Sequence, residues 1–186
     1  IHIIEENNQL LLQLINYILD LSRIEAGILE FTKEDMDINK TLDEMRTMAE
    51  LKRSSEVNIR LIPDADCCIV HTVPKRVRQV LNNYLSNAIK HTEKGFIDIG
   101  YHMLQEDRIR FFVRDTGCGI PPEKQKDIFE RFVKLNSFKQ GTGLGLSICT
   151  MIAEKMNGEV GVCSILGKGS EFWFEIPCQT AGGTLA

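Results

Sequence analysis

Asn83, Asn87 and Lys90 stand four and three residues apart, so on a helix two carboxamides and an ammonium share one face. A carboxamide oxygen is a hard, neutral ligand that suits one place in the octahedron of Mg²⁺, an ion that keeps several waters and takes further oxygens from phosphates. Lys90 meets phosphate as a point charge. Such a face suits a metal-bound polyphosphate. Asp115-Thr116-Gly117-Cys118-Gly119-Ile120 sets a carboxylate beside a backbone made permissive by two glycines, and an Asp so placed can accept from an amine such as the exocyclic amino group of adenine. In Gly141-Thr142-Gly143-Leu144-Gly145-Leu146, three alternating glycines let the backbone approach phosphate just before a helix N-terminus, where free N–H groups and the dipole favour anions. Each stretch has a plainer reading when taken singly: a solvated stripe on an amphipathic helix, a tight turn, a glycine-rich loop. The glycine loop fits neither a dinucleotide fingerprint, which needs a third glycine where Leu146 stands, nor a Walker loop, which ends in Gly-Lys-Ser/Thr.

Elements must hold these residues. Pro74 suits the first position of a helix over 74–91, with Leu81, Leu85, Ala88 and Ile89 turned to a core and Lys94-Gly95 as the turn. Residues 96–104 and 108–114 read as a hairpin whose second strand delivers Asp115. Pro121-Pro122-Glu123 opens a short helix that ends in Phe129-Glu130-Arg131-Phe132, and 133–140, with Lys134, is polar enough for a flexible lid. A helix over 146–156 follows the glycine loop. Residues 159–165 and 171–176 form a second hairpin around Gly167-Lys168-Gly169-Ser170, with Trp173 and its Phe neighbours expected in the core. Upstream, 29–35 reads as an edge strand, Asp37 as the N-cap of a helix over 38–54, and 58–62 and 67–70 as short strands. Residues 3–26 form one long helix capped by Gly27. Ile4, Leu11, Leu14, Ile18 and Leu21 give it a heptad seam, and extra apolar positions widen the stripe toward a four-helix bundle; a single helix buried in a core has the same periodicity.

The chain of 186 residues has room for one full core and an appendage. A net charge of −4 gives no electrostatic reason to expect nucleic acid, so any anion site must be built locally. No apolar run is long enough to span a bilayer, and no membrane contact or signal peptide is expected. Six cysteines without a C-x-x-C pair, and no clustered histidines, argue against zinc and for reduced thiols in a cytoplasmic protein. Cys118, between two glycines, reads as a small loop filler that is partly exposed.

In this order the motifs resemble the catalytic and ATP-binding domain of sensor histidine kinases, in the superfamily shared with DNA gyrase, the ninety-kilodalton heat-shock chaperone and MutL. Residues 83–92 look like the asparagine box, 115–120 the first glycine box, 129–132 the phenylalanine box, 141–146 the second glycine box and 167–170 the final glycine turn. The resemblance implies that Asn87 binds Mg²⁺, that Asn83 and Lys90 face the phosphates, that Asp115 reads adenine with Gly117, Gly119 and Ile120 lining its pocket, and that Phe132, Lys134, Gly141, Thr142, Gly143, Leu144, Gly145, Leu146 and Ser170 belong to the nucleotide site. Hydrolytic members and the protein kinases of mitochondria carry a general-base Glu where this chain has Asn83, and an amide cannot take a proton from water.

Residues 14–27 resemble the second helix of the dimerisation and phosphotransfer domain. The family's acceptor histidine sits on that domain's first helix, and His2, His71, His91 and His102 all lack its setting. The fold expected is α+β, a two-layer α/β sandwich with a mixed sheet covered by three helices, preceded by one long helix. Its parts are 1–27 from the dimeric bundle, 28–178 as the ATP-binding domain and 179–186 as a disordered tail. The function expected is transfer of the ATP γ-phosphate to a histidine, then onward to a response-regulator receiver domain, in a homodimer formed through 3–26 within the cytoplasmic part of a membrane sensor. A stand-alone superfamily ATPase and a degenerate nucleotide-binding scaffold are the alternatives.

Overall fold

A computed structural model describes residues 11–12, 15–16, 18–19, 22–23, 26–27, 30–105, 107–130, 133 and 143–180. Five strands form the main sheet in the order β2 (Val57–Ile62), β4 (Gly95–Leu104), β5 (Arg108–Asp115), β7 (Gly169–Pro177) and β6 (Glu159–Ile165). The pair β2 and β4 is parallel and the other pairs are antiparallel, so the sheet is mixed. Helices α1 (Ile38–Glu50), α2 (Pro74–His91) and α3 (Gly145–Lys155) pack on it.

Period-two alternation decides which side chains meet those helices. Ile97, Ile99 and Tyr101 of β4, Ile109, Phe111 and Val113 of β5, and Phe172, Phe174 and Ile176 of β7 are buried in one core with Val77, Val80, Leu81, Tyr84, Leu85 and Ala88 of α2. Tyr84 is fully buried and its hydroxyl donates to the Trp173 carbonyl at 3.2 Å, which fixes α2 over β7. Asp37 caps α1 as expected, its carboxylate accepting from Lys40 N at 3.0 Å, and Pro74 opens α2.

Several local expectations are corrected. The strand expected over 29–35 is β1 (Glu34–Asp37), and that expected over 67–70 is β3 (Ile69–Thr72). With β8 (Gln179–Thr180) they form a second, antiparallel sheet in the order β1-β3-β8. Residues 179 and 180, expected in a disordered tail, are therefore paired; the rest of that tail lies outside the described residues. Helix α1 ends at Glu50, not Ser54. The short helix expected from Pro121 is two separate 3₁₀ turns, Pro122–Lys124 and Asp127–Phe129, closed by three-residue bonds from Lys124 N to Pro121 O at 2.9 Å, Gln125 N to Pro122 O at 3.3 Å and Glu130 N to Asp127 O at 2.9 Å. Trp173 stands on the outer face of the sheet, half-buried against the Arg110 guanidinium 4.5 Å from the ring centroid, since its neighbours Phe172 and Phe174 take the inner face. In the first helix Leu11, Leu12, Ile15, Ile18 and Leu19 are helical and exposed, and Ile4, Leu14 and Leu21 of the expected seam lie outside the described residues.

Candidate functional site

Sheet register carries Asp115 to the inner face at the end of β5, opposite Ser170 of β7. Its carboxylate accepts from Gly117 N at 2.8 Å and from the Ser170 amide. Burial pushes its pKa above the usual Asp value, because the two amide donors only partly offset desolvation. Gly117 is obligatory at this point: a Cβ there would lie 2.4 Å from the His91 carbonyl oxygen and 2.8 Å from Asp115 Oδ1. Gly119 is in the left-handed region at φ +69°, and a Cβ would lie 2.1 Å from the Ile165 carbonyl oxygen. The loop is thereby pressed between the end of α2, where His91 O accepts from Cys118 N at 3.4 Å, and the β6–β7 turn, where Gly167 N donates to Cys118 O at 2.7 Å. Cys118 itself is exposed, as a loop filler would be.

The other half of the arrangement lies on α2. Asn87 is half-buried, and its carboxamide makes no hydrogen bond with another described residue. Asn83 Nδ2 donates to the Gly145 carbonyl at 3.2 Å and to Cys149 Sγ at 3.5 Å. A Cβ on Gly145 would touch Asn83 Oδ1 at 3.2 Å, so the first residue of α3 sits directly against the asparagine helix. Lys90 is half-buried and engaged. Cys149 is fully buried and burial pushes its pKa to about 12, so it is a neutral partner for Asn83.

A family profile described as "Histidine kinase-, DNA gyrase B-, and HSP90-like ATPase" matches residues 72–180, the span that holds the asparagine helix, Asp115 and the glycine turns. The chain belongs to this family. Over 90% of its length it is 40% identical to "Hybrid signal transduction histidine kinase B" of Dictyostelium discoideum, of which it covers 9%. Over 95% of its length it is 35% identical to "Circadian input-output histidine kinase CikA" of Synechococcus elongatus, of which it covers 24%. The chain thus spans at most about a quarter of these two relatives. Among solved structures, "ShkA full-length in complex with AMPPNP" superposes with a TM-score of 0.85 at 34% identity, covering 93% of this chain and 37% of that one. The mixed sheet with its helices is the histidine-kinase catalytic-domain fold.

In this histidine-kinase domain the structure gathers Asp115, Gly117 and Ser170 at one end of the sheet and joins Asn83 to Gly145 across α2 and α3. Ile120 and Leu144 are buried in the core, Gly143 and Leu146 are half-buried, and Gly119 is buried in its loop. Phe132, Lys134, Gly141 and Thr142, with the lid expected over 133–140 apart from Val133, lie outside the described residues. Sequence reasoning missed Ser164, whose hydroxyl accepts from Ile120 N at 2.8 Å, donates to Gly169 O at 2.9 Å and meets Ser170 Oγ at 2.9 Å. It also missed Gln125, which donates to the carbonyls of Ile120 and Ser164, both at 2.9 Å. These contacts brace the Asp115 loop, and nothing local in the sequence marks either residue.

Proposed function

We propose that this domain binds ATP with Mg²⁺ and supplies the γ-phosphate to a histidine, in the manner its relatives' names as histidine kinases suggest. The observation that carries the reading is the combination of a buried, amide-held Asp115 at the base end with an Asn87 carboxamide on α2 that has no hydrogen-bond partner among the described residues. Asp115 accepts from the adenine amino group, while Gly117 and Gly119 keep the loop thin enough for a planar base to approach. Asn87, Lys90 and Gly143 take the polyphosphate end, and Ser170 holds Asp115 in position. Among the described residues no cluster of three or more His, Cys, Asp or Glu could hold a metal alone. A single amide with water and phosphate oxygens is a donor set that fits Mg²⁺ and no thiophilic ion. When bound, Mg²⁺ neutralises phosphate charge as the phosphoryl group transfers.

A hydrolytic role is disfavoured by Asn83, whose amide is committed to the Gly145 carbonyl and has no basic lone pair to take a proton from water. The domain's contribution is positioning and charge; the nucleophile comes from a histidine on a separate helix of the dimerisation bundle. We assign residues 3–26 to that bundle, with the exposed Leu11 and Ile18 as part of a homodimer seam, and infer onward transfer to a receiver-domain aspartate. Among the described residues no helix is long and apolar enough to cross a membrane, and we place the domain on the cytoplasmic side of a sensor kinase. The test is incubation with γ-³²P-ATP, alone and with the acceptor helix restored in a longer chain. The restored chain should gain acid-labile label and the 186-residue chain should not. Label in the short chain above an Asn87→Ala control, or none in the longer chain with ATP bound, contradicts the reading.

A further inference from the structure

Sheet register sets three polar side chains in one row beside the base end of the site. Ser164 of β6 stands directly opposite Ser170 of β7, and Ser170 stands directly opposite Asp115 of β5. Cross-strand partners share a face with their Cβ atoms about 4.5–5.5 Å apart, so the row runs Ser164, Ser170, Asp115 along the inner face. Ser170 and Asp115 are buried, and Ser164 is half-buried.

The Ser164 hydroxyl has one proton and two lone pairs, and three polar atoms surround it. Ile120 N, at 2.8 Å, can only donate, and Gly169 O, at 2.9 Å, can only accept. Ser170 Oγ, also at 2.9 Å, can play either part. If Ser164 gave its proton to Ser170, its lone pairs would face the Gly169 carbonyl oxygen at 2.9 Å with no proton between them. All three contacts are hydrogen bonds in one arrangement alone: Ser164 donates to Gly169 O and accepts from both Ile120 N and Ser170 Oγ. The Ser170 proton is thereby committed to Ser164, and Ser170 Oγ keeps accepting capacity only. Gln125 clamps the same two strands of backbone, its Nε2 donating to the carbonyls of Ile120 and Ser164, both at 2.9 Å.

We propose that Ser164 is a positioning residue for base selection: by taking the Ser170 proton it leaves Ser170 Oγ an acceptor beside the Asp115 carboxylate, and the two together select a purine with an amino group at position six over one with a carbonyl. This role rests on the nucleotide reading above and adds how the site refuses the wrong base. A six-amino purine brings N–H donors to such a row, whereas a six-oxo purine brings carbonyl lone pairs. Without the Ser164 hydroxyl, Ser170 regains a free proton and can donate to that carbonyl.

The test is calorimetric titration of the 186-residue chain with Mg²⁺-ADP and Mg²⁺-IDP, whose bases carry an amino group and a carbonyl at position six. The parent is compared with Ser164→Ala, Ser164→Thr, Ser170→Ala and the double variant Ser164→Ala/Ser170→Ala. In Ser164→Ala the ratio of ADP to IDP affinity should fall about fivefold or more, the size of one neutral hydrogen bond, and Ser164→Thr, which keeps the hydroxyl, should restore it. In the Ser170→Ala background the loss of Ser164 should leave the ratio where it was, because Ser164 acts through Ser170. Ser164→Cys, close in shape with a weak donor and acceptor, takes the place of Ser164→Ala if that variant does not melt cooperatively. A ratio unchanged from the parent while both nucleotides weaken marks a purely structural brace and overturns the proposal, as does a further fall in the ratio when Ser164 is removed from the Ser170→Ala background. A parent that binds neither nucleotide overturns the nucleotide reading and this role together, whereas a parent that prefers ADP and a Ser164→Ala variant with the same preference overturn this role alone.

Discussion

Replacing Asp115 with Asn tests the base end of the site, and the structure sets the size of the effect. The carboxylate has two amide donors, Gly117 N at 2.8 Å and Ser170 N. An Asn offers one oxygen to this pair and turns its own NH₂ toward the other amide, leaving a buried donor unsatisfied at a cost of about 1–3 kcal/mol. For a domain of this size that corresponds to a fall in Tm of roughly 2–4 °C per kcal/mol. The second loss is the charge-assisted bond to the adenine amino group, worth about 1.5–3 kcal/mol, or a fall in ATP affinity of roughly tenfold to a hundredfold at about 1.4 kcal/mol per decade. GTP presents a carbonyl where adenine has the amine, so it gains from the new donor and its affinity holds or rises. Isothermal calorimetry with both nucleotides on parent and Asp115→Asn, with melting curves to separate folding from binding, measures both effects. An ATP affinity within about threefold of the parent, or an equal loss for ATP and GTP, would refute the assignment of Asp115 to the base.

Gly117→Ala should lower both Tm and nucleotide affinity, since its Cβ would meet the His91 carbonyl at 2.4 Å; a variant matching the parent in both assays would show that the loop yields freely. Asn83→Asp removes the donor to Gly145 O and sets two oxygens against it, so amide exchange at the start of α3 should quicken; unchanged exchange at 145–148 would refute the tie. Burial would raise the Glu175 pKa, but hydrogen bonds from Arg108 and Arg110 outweigh it and hold it below the usual value. A folded-state pKa below the unfolded one gives stability that is present above the unfolded pKa and lost as pH falls through the folded one. The stability gap between parent and Glu175→Gln in urea should therefore narrow between pH 7 and about pH 3; a gap independent of pH would contradict this. Asp115 carries the opposite sign, because its raised folded pKa lets stability fall as pH rises from the unfolded toward the folded value. Asp115→Asn removes that slope, and its persistence in the variant would place its origin elsewhere.

What the sequence disclosed was local and periodic. The spacing of Asn83, Asn87 and Lys90 against Leu81, Leu85 and Ala88 marked α2, Pro74 and Asp37 marked helix starts, and alternation marked both hairpins. Trp173 reads as core from its hydrophobicity alone, yet the alternation that buries Phe172 and Phe174 turns it outward. The β1-β3-β8 sheet was illegible as a sheet because its strands hold four, four and two residues and pair across the length of the domain. Ser164 and Gln125 brace the Asp115 loop through backbone groups more than 38 residues away or across a turn of irregular backbone, and no propensity reports such contacts. The Asn83 link to Gly145 spans 62 residues, so the spacing could offer the amide to phosphate but not reveal its tie to α3.

The most direct test of the account is calorimetric titration of the 186-residue chain with ATP, with and without Mg²⁺, beside Asn87→Ala. The half-buried Asn87 amide has no partner among the described residues, so its removal should cost little in folding and much in metal-dependent affinity. The account predicts saturable binding of ATP by the parent, tighter with Mg²⁺, and loss of most of that Mg²⁺ increment in Asn87→Ala at an unchanged melting temperature. Equal affinity of parent and variant in Mg²⁺, or no saturable binding by the parent at all, would contradict it.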